Sequence, residues 1–219
     1  MTPLINVKDL SRAFSYPGHY QALHGFNAEL HAGQLIGLSG PSGAGKSTLL
    51  HILGALDTGY EGSAQLNAVE LKSISDQSRA ELRRSVVSLA FQTPHLFPHL
   101  SVHENIELSA RIAETPEHEA LTSNALIERF ELGRLLKSAP ATLSGGEKRR
   151  VGIVQALSRP ARVYLLDEPS VHLDQVIRHE LFEVLRQLRS QDKLIIFSSH
   201  NQEDLECADL IYRLKVAAS

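Results

Sequence analysis

Three stretches of this 219-residue chain combine residue types and spacings that suit phosphate chemistry. The first is GPSGAGKSTLL, residues 40–50, in which Gly40, Pro41, Ser42, Gly43, Ala44, Gly45, Lys46, Ser47 and Thr48 fit the spacing G-x-x-x-x-G-K-[ST]. Glycines remove the side chains that would hold a phosphate away. Consecutive main-chain N–H groups can then close around an anion, and a following helix adds the positive end of its dipole. Lys46 is placed to reach β- and γ-phosphates, the Ser47 hydroxyl suits Mg²⁺, and Thr48 can add a donor near the α-phosphate. The second stretch is RVYLLDEP. An apolar strand ends there in Asp167, which can hold Mg²⁺ directly or through its water shell, and Glu168 follows, placed to polarise an attacking water as general base. The third is LSGGEKRRVGIVQAL, residues 143–157. Ser144 and Glu147 have capping-box spacing, so a helix starting there would present the Ser144 hydroxyl and the Gly145 and Gly146 amides to an anion. Each stretch has a plain structural alternative: a glycine-rich turn, an acidic strand end, a helix cap.

The elements that must position these residues are legible around them. QLIGLSG reads as a strand entering the glycine loop and KSTLLHILGAL as the helix leaving it. SVVSLAF, RVYLLD and KLIIFSS are three further buried strands. Between the last two, Ile177, Leu181, Val184, Leu185 and Leu188 form a helical stripe, with Asp174 as its N-cap. Strand, helix, strand in that order predicts a parallel sheet with helices packed on it. Residues 93–143 carry prolines and helical patterns but no convincing strand, so they read as a helical insertion. Ser101 to Glu104 has capping-box spacing, and Pro116 suits a first helical position. The N-terminal portion, with its short alternating segments, predicts an antiparallel sheet.

Composition narrows the class. The net charge of −3 argues against a broadly basic nucleic-acid surface. Cys207 is the only cysteine, which rules out an intrachain disulfide and fits a reducing compartment. The N-terminus lacks the features of a signal peptide, and no apolar run approaches the roughly 20 residues that cross a bilayer. A membrane role would therefore need a partner to hold the chain there.

The LSGGEKRR stretch resembles the signature of ATP-binding cassette (ABC) ATPases, and further elements of that family follow the expected order. Gln92 matches the Q-loop glutamine, Asp167 and Glu168 the Walker B pair, residues 171–174 the D-loop, and His200 the switch histidine. Phe14, with Tyr16 as the second choice, sits where the family stacks an aromatic ring on adenine. The resemblance implies an α/β fold with a P-loop NTPase core and parallel sheet, an N-terminal antiparallel β subdomain and an inserted α-helical subdomain. On this reading the chain is a single domain, with residues 1–92 and 144–219 as the nucleotide-binding core and 93–143 as the helical part. ATP and Mg²⁺ are the implied ligands. Two chains would pack head to tail, with Ser144, Gly145, Gly146 and Asp174 of one facing the nucleotide of the other. Gln92 would sense Mg²⁺ or the lytic water, and His200 would contact the γ-phosphate and orient Glu168.

The chain also departs from the family pattern. Val171 and His172 replace the usual D-loop residues, EKRR stands where EQQR or EKQR is more frequent, and Gln155 replaces an arginine. The chain ends soon after DLIYRLKV, so a C-terminal regulatory domain is not expected. LLHILGALDTGYEG and LFPHLSVHENIEL look most like the subgroup serving lipoprotein release, macrolide-type efflux and the cell-division complex. The resemblance thus implies an ATPase at the cytoplasmic face of a membrane, acting on a separate permease and binding no nucleic acid directly. The alternatives are a soluble ABC ATPase acting on nucleic acid or ribosomes, and a nucleotide-gated binding module with weak turnover.

Overall fold

Polar and apolar residues alternate along β1 (Ile5–Phe14) and β2 (Tyr20–Leu30), which pair antiparallel with Ile5 opposite Leu30 and Phe14 opposite Tyr20. The structure, a computed structural model, describes residues 2–15, 20–112 and 122–216. β4 (Glu61–Leu66) joins β1 on its other side and β5 (Val69–Glu70) completes a four-stranded antiparallel sheet in the order β2-β1-β4-β5. This is the N-terminal antiparallel sheet that the alternating pattern predicts.

The second sheet is parallel and five-stranded. β3 (Leu35–Ser39), β6 (Val87–Ala90), β7 (Val163–Leu166), β8 (Leu194–Ser198) and β9 (Leu210–Arg213) lie in the order β6-β7-β8-β3-β9. β7 and β8 are buried at every position because helices and the other sheet cover both faces. Their side chains alternate between two cores. Tyr164, Leu166, Ile195 and Phe197 enter one, while Val163, Leu165, Leu194 and Ile196 enter the other.

Among the described residues seven α-helices join the strands: α1 (Lys46–Leu53), α2 (Asp76–Ser85), α3 (Val102–Ile112), α4 (Ser123–Arg129), α5 (Gly145–Leu157), α6 (Gln175–Ser190) and α7 (Gln202–Leu205). α6 buries the predicted stripe, and Phe182 adds an edge-on contact with Phe197 at 5.4 Å between ring centroids. Asp174 caps this helix, accepting from the Ile177 N–H at 2.9 Å. Residues 93–143 hold α3, α4 and two 3-10 turns, with no strand among those described. The box before α3 forms as its spacing predicts: Ser101 N–H donates to Glu104 at 2.7 Å and Glu104 N–H to the Ser101 hydroxyl at 3.2 Å. Pro116 lies outside the described residues.

β9 and α2 have no counterpart in the sequence reading. Leu210 and Arg213 of β9 are exposed, and α2 buries no residue, so neither carries a clear apolar pattern. One packing detail bears directly on the site. A Cβ on Gly152 would stand 2.6 Å from Pro94 Cβ, so the bare α5 backbone lets residues 92–94 lie against it. Gly152→Ala is therefore expected to lower the unfolding free energy by about 1–3 kcal/mol through overpacking. In a Pro94→Gly background the same change should raise it by up to ~1 kcal/mol, through helix propensity. A double-mutant cycle by urea denaturation checks the change of sign.

Candidate functional site

The glycine loop runs from the end of β3 to the first residue of α1. Gly45 takes the N-cap position of α1 with a left-handed φ of 87°. A Cβ there would stand 2.2 Å from the Ala22 carbonyl oxygen on β2, and one on Gly40 would stand 2.6 Å from the Leu214 carbonyl oxygen. Both glycines are thus demanded by the chain's own backbone. The sequence reading assigned them to the phosphate alone. Lys46 is 7% exposed, and its ammonium donates to the carbonyls of Gly40 at 2.7 Å and Pro41 at 3.1 Å. An ammonium has three N–H groups, so one donor remains for an anion. Ser47 and Thr48 follow on the first turn of α1 and are half-buried.

The acidic pair stands where β7 ends. Asp167 is 5% exposed, and its carboxylate accepts from the Ser198 hydroxyl at 2.7 Å. The same Ser198 oxygen accepts from the Glu168 N–H at 2.7 Å. Glu168 has φ 48°, a left-handed conformation uncommon for a residue with a side chain. Gln92 Nε2 donates to Glu168 Oε2 at 3.3 Å, and His200 Nδ1 lies 3.7 Å from Glu168 Oε1. Three residues separated widely in sequence therefore meet at one carboxylate. Such a carboxylate, within reach of water and flanked by a neutral amide and an imidazole, can act as a proton acceptor.

The predicted cap at α5 is present in both directions. Ser144 N–H donates to Glu147 at 2.9 Å and Glu147 N–H to the Ser144 hydroxyl at 3.3 Å. The Ser144 N–H and hydroxyl hold the Glu147 carboxyl below the usual carboxylate range. Ser144 and Gly145 are exposed, and no hydrogen bond joins residues 144–146 to residues 40–48 among those described. Asp174 is engaged in capping α6. Phe14 has the Arg12 guanidinium over its ring at 4.1 Å, while Arg12 also pairs with Asp57 at 2.9 Å. Tyr20, paired with Phe14 across the strands, donates from its hydroxyl to the Gly43 carbonyl. Tyr16 lies outside the described residues.

Sequence reasoning missed Ser198, Tyr20 and Arg149. Ser198 was visible only as part of an apolar strand followed by a serine pair. Arg149 was visible as a departure from the family pattern and is 5% exposed, bonded to main-chain carbonyls around Gln92 and Glu168. Ser198→Ala would leave the buried Asp167 carboxylate without its donor and Glu168 N–H without its acceptor. Chemical denaturation should show a loss of about 1–3 kcal/mol.

Comparison with known proteins places this geometry. Residues 23–171 match the family model described as ABC transporter. The chain is 36% identical over 214 residues to the lipoprotein-releasing system ATP-binding protein LolD of Zymomonas mobilis subsp. mobilis, covering 96% of this chain and 92% of that protein. It is 34% identical over 219 residues to the macrolide export ATP-binding/permease protein MacB of Shigella flexneri, covering 98% of this chain and 34% of that protein. The chain thus spans about a third of the length of the ATP-binding/permease relatives it matches. Among solved structures, the dimeric MJ0796, a bacterial ABC transporter cassette, superposes with a TM-score of 0.88 at 26% identity over 98% of this chain and 97% of that chain. The post-hydrolysis dimer of MJ0796 bound to ADP and Pi gives a TM-score of 0.87 at 26% identity, with the same coverage of both chains.

Proposed function

The chain belongs to the ABC transporter family as an ATP-binding domain, and from that premise we propose that it binds MgATP, pairs head to tail with a second copy, and hydrolyses ATP to move a separate membrane subunit. The observation that carries the catalytic assignment is the convergence of Gln92 and His200 on Glu168. In this reading Glu168 takes a proton from the water that attacks the γ-phosphorus. The bond to the β,γ-bridging oxygen breaks, and ADP and phosphate leave. Gln92 orients the water, His200 contacts the γ-phosphate, and Lys46 offsets the phosphate charge from inside the glycine loop. Phe14 stacks on adenine with its ring steadied by Arg12.

Mg²⁺ fits the donors available. Ser47, Gln92 and Asp167 all offer oxygen, and one carboxylate beside substrate phosphates is the usual set for this ion. No group of three or more His, Cys, Asp or Glu side chains gathers as a metal cage among the described residues, consistent with an ion held largely by the nucleotide. Bound there, it would neutralise charge on the β- and γ-phosphate oxygens.

Two features support the second copy. Ser144 and Gly145 are exposed at the start of α5, with no hydrogen bond to residues 40–48 among those described, and the MJ0796 cassette is dimeric. The cap would then receive the γ-phosphate held by the other protomer. Residues 1–92 and 144–219 act as the nucleotide-binding core and 93–143 as a helical subdomain. No helix among the described residues is long and apolar enough to cross a membrane, so the proposed place of work is the inner face of the cell membrane, reached through a permease. A cavity of about 280 Å³ lined by Leu56, Phe91, Pro94, His95 and Gln155 would suit that contact, because Phe91 and Pro94 flank Gln92. The similarity to LolD and MacB favours an export or release system as the setting.

Glu168→Gln should trap an ATP-bound dimer. Light scattering at saturating MgATP is expected to show twice the monomer mass, and a monomer alone counts against the two-chain site. Purification of the tagged chain from detergent-solubilised native membranes is expected to bring down an integral membrane protein in stoichiometric amount. Recovery of ribosomes or nucleic acid in its place would favour the soluble alternative.

A further inference from the structure

Arg149 sits one helical turn inside α5, buried, and its partners are main-chain carbonyls. Its Nη1 donates to the carbonyls of Phe91 at 2.8 Å and of Gln92. Its Nη2 donates to the carbonyls of Asp167 at 2.7 Å and of Glu168. All four terminal N–H groups are therefore used, while the buried Nε has no protein partner. The acceptors come in two consecutive pairs, one just past β6 and one just past β7. These strands are hydrogen-bonded neighbours, with Ala90 opposite Leu166. A planar fork with fixed donor directions suits this arrangement; a single-point ammonium does not.

The cation is costly to bury and is kept for what it holds. Burial pulls its pKa down, and the nearby Asp167 and Glu168 charges push it back up. The held backbone is also unusual. Glu168 keeps its left-handed φ of 48°, a strained conformation that persists only when the surroundings fix it. That conformation accompanies the placement of its side chain between Gln92 and His200.

We propose that Arg149 is a positioning residue for ATP hydrolysis, gripping the backbone on both sides of the acid–amide pair so that Gln92 and Glu168 of its own chain stay in register. The inference rests on the reading of Glu168 as the base in a two-chain site. Because Arg149 lies one turn from Ser144, the helix end that would face the partner's nucleotide is tied to this chain's own machinery. Arg149 nonetheless acts on the site containing its own Glu168.

Mixed dimers separate the two sites. A Lys46→Ala partner removes one glycine-loop cation and leaves one working site, built from the loop and Glu168 of the other chain. With Arg149→Met, which keeps the length of the side chain and removes every donor, in the chain supplying Glu168, turnover of that site should fall about tenfold or more, with ATP affinity changed less than twofold. With Arg149→Met placed in the Lys46→Ala chain, which supplies only the helix end, the loss should be at least about fivefold smaller. Equal losses in the two arrangements, a larger loss in the second, or unchanged turnover in the first would overturn the proposal. An inactive pair with Arg149 intact in both chains would withdraw the two-chain reading and this inference with it. If Arg149→Met shows no cooperative unfolding transition, Arg149→Lys is tested in the same arrangements. It keeps the cation but not the fork, and the same ordering of losses is expected.

Discussion

Parallel pairing brings β6, β7, β8 and β3 to an end at one edge of the sheet. Leu166 stands opposite both Ala90 and Phe197, and Leu38 stands opposite Ser198. The residues that follow these strands are Gln92, Asp167 with Glu168, His200, and the glycine loop. None has to be brought in by a long excursion. Ser198 makes the level edge chemically specific, joining the Asp167 carboxylate to the Glu168 N–H through one hydroxyl. Remove the register and the acid, the amide and the imidazole lose their common meeting point.

A buried guanidinium lies beside that edge. Desolvating a cation costs several kcal/mol, and ion pairs in interiors often fail to recover it. Arg149 recovers much of it by a different route. Carbonyls at strand ends lack ladder partners and need donors of their own, and the fork satisfies four at once. The charge therefore answers an existing deficit in the backbone.

The fold and much of the site were legible because their signals are local. The G-x-x-x-x-G-K-S spacing, the apolar runs ending in acid, the stripe from Ile177 to Leu188 and the caps at Ser101, Ser144 and Asp174 each lie within one element and its flanks. What escaped notice depends on contacts across the chain. Gly45 is a glycine because of Ala22, Gly40 because of Leu214, and Gly152 because of Pro94. No window along the sequence contains both members of any such pair. Ser198 reads as strand, and Arg149 as one departure from the family pattern within a charged run. Its burial could be read only once α5 was laid against β6 and β7. Residues 113–121, with Pro116 among them, lie outside what the structure describes.

The contact between Gly45 and Ala22 has a consequence for how such domains recombine. The glycine turn is moulded on a strand of the antiparallel sheet, so the two sheets are not interchangeable modules at that seam. A chimaera that imports a relative's turn while retaining this chain's β2 would set foreign curvature against a fixed carbonyl. Swaps that exchange residues 20–30 and 40–48 together preserve the mould and should be the ones that evolution and engineers alike find viable.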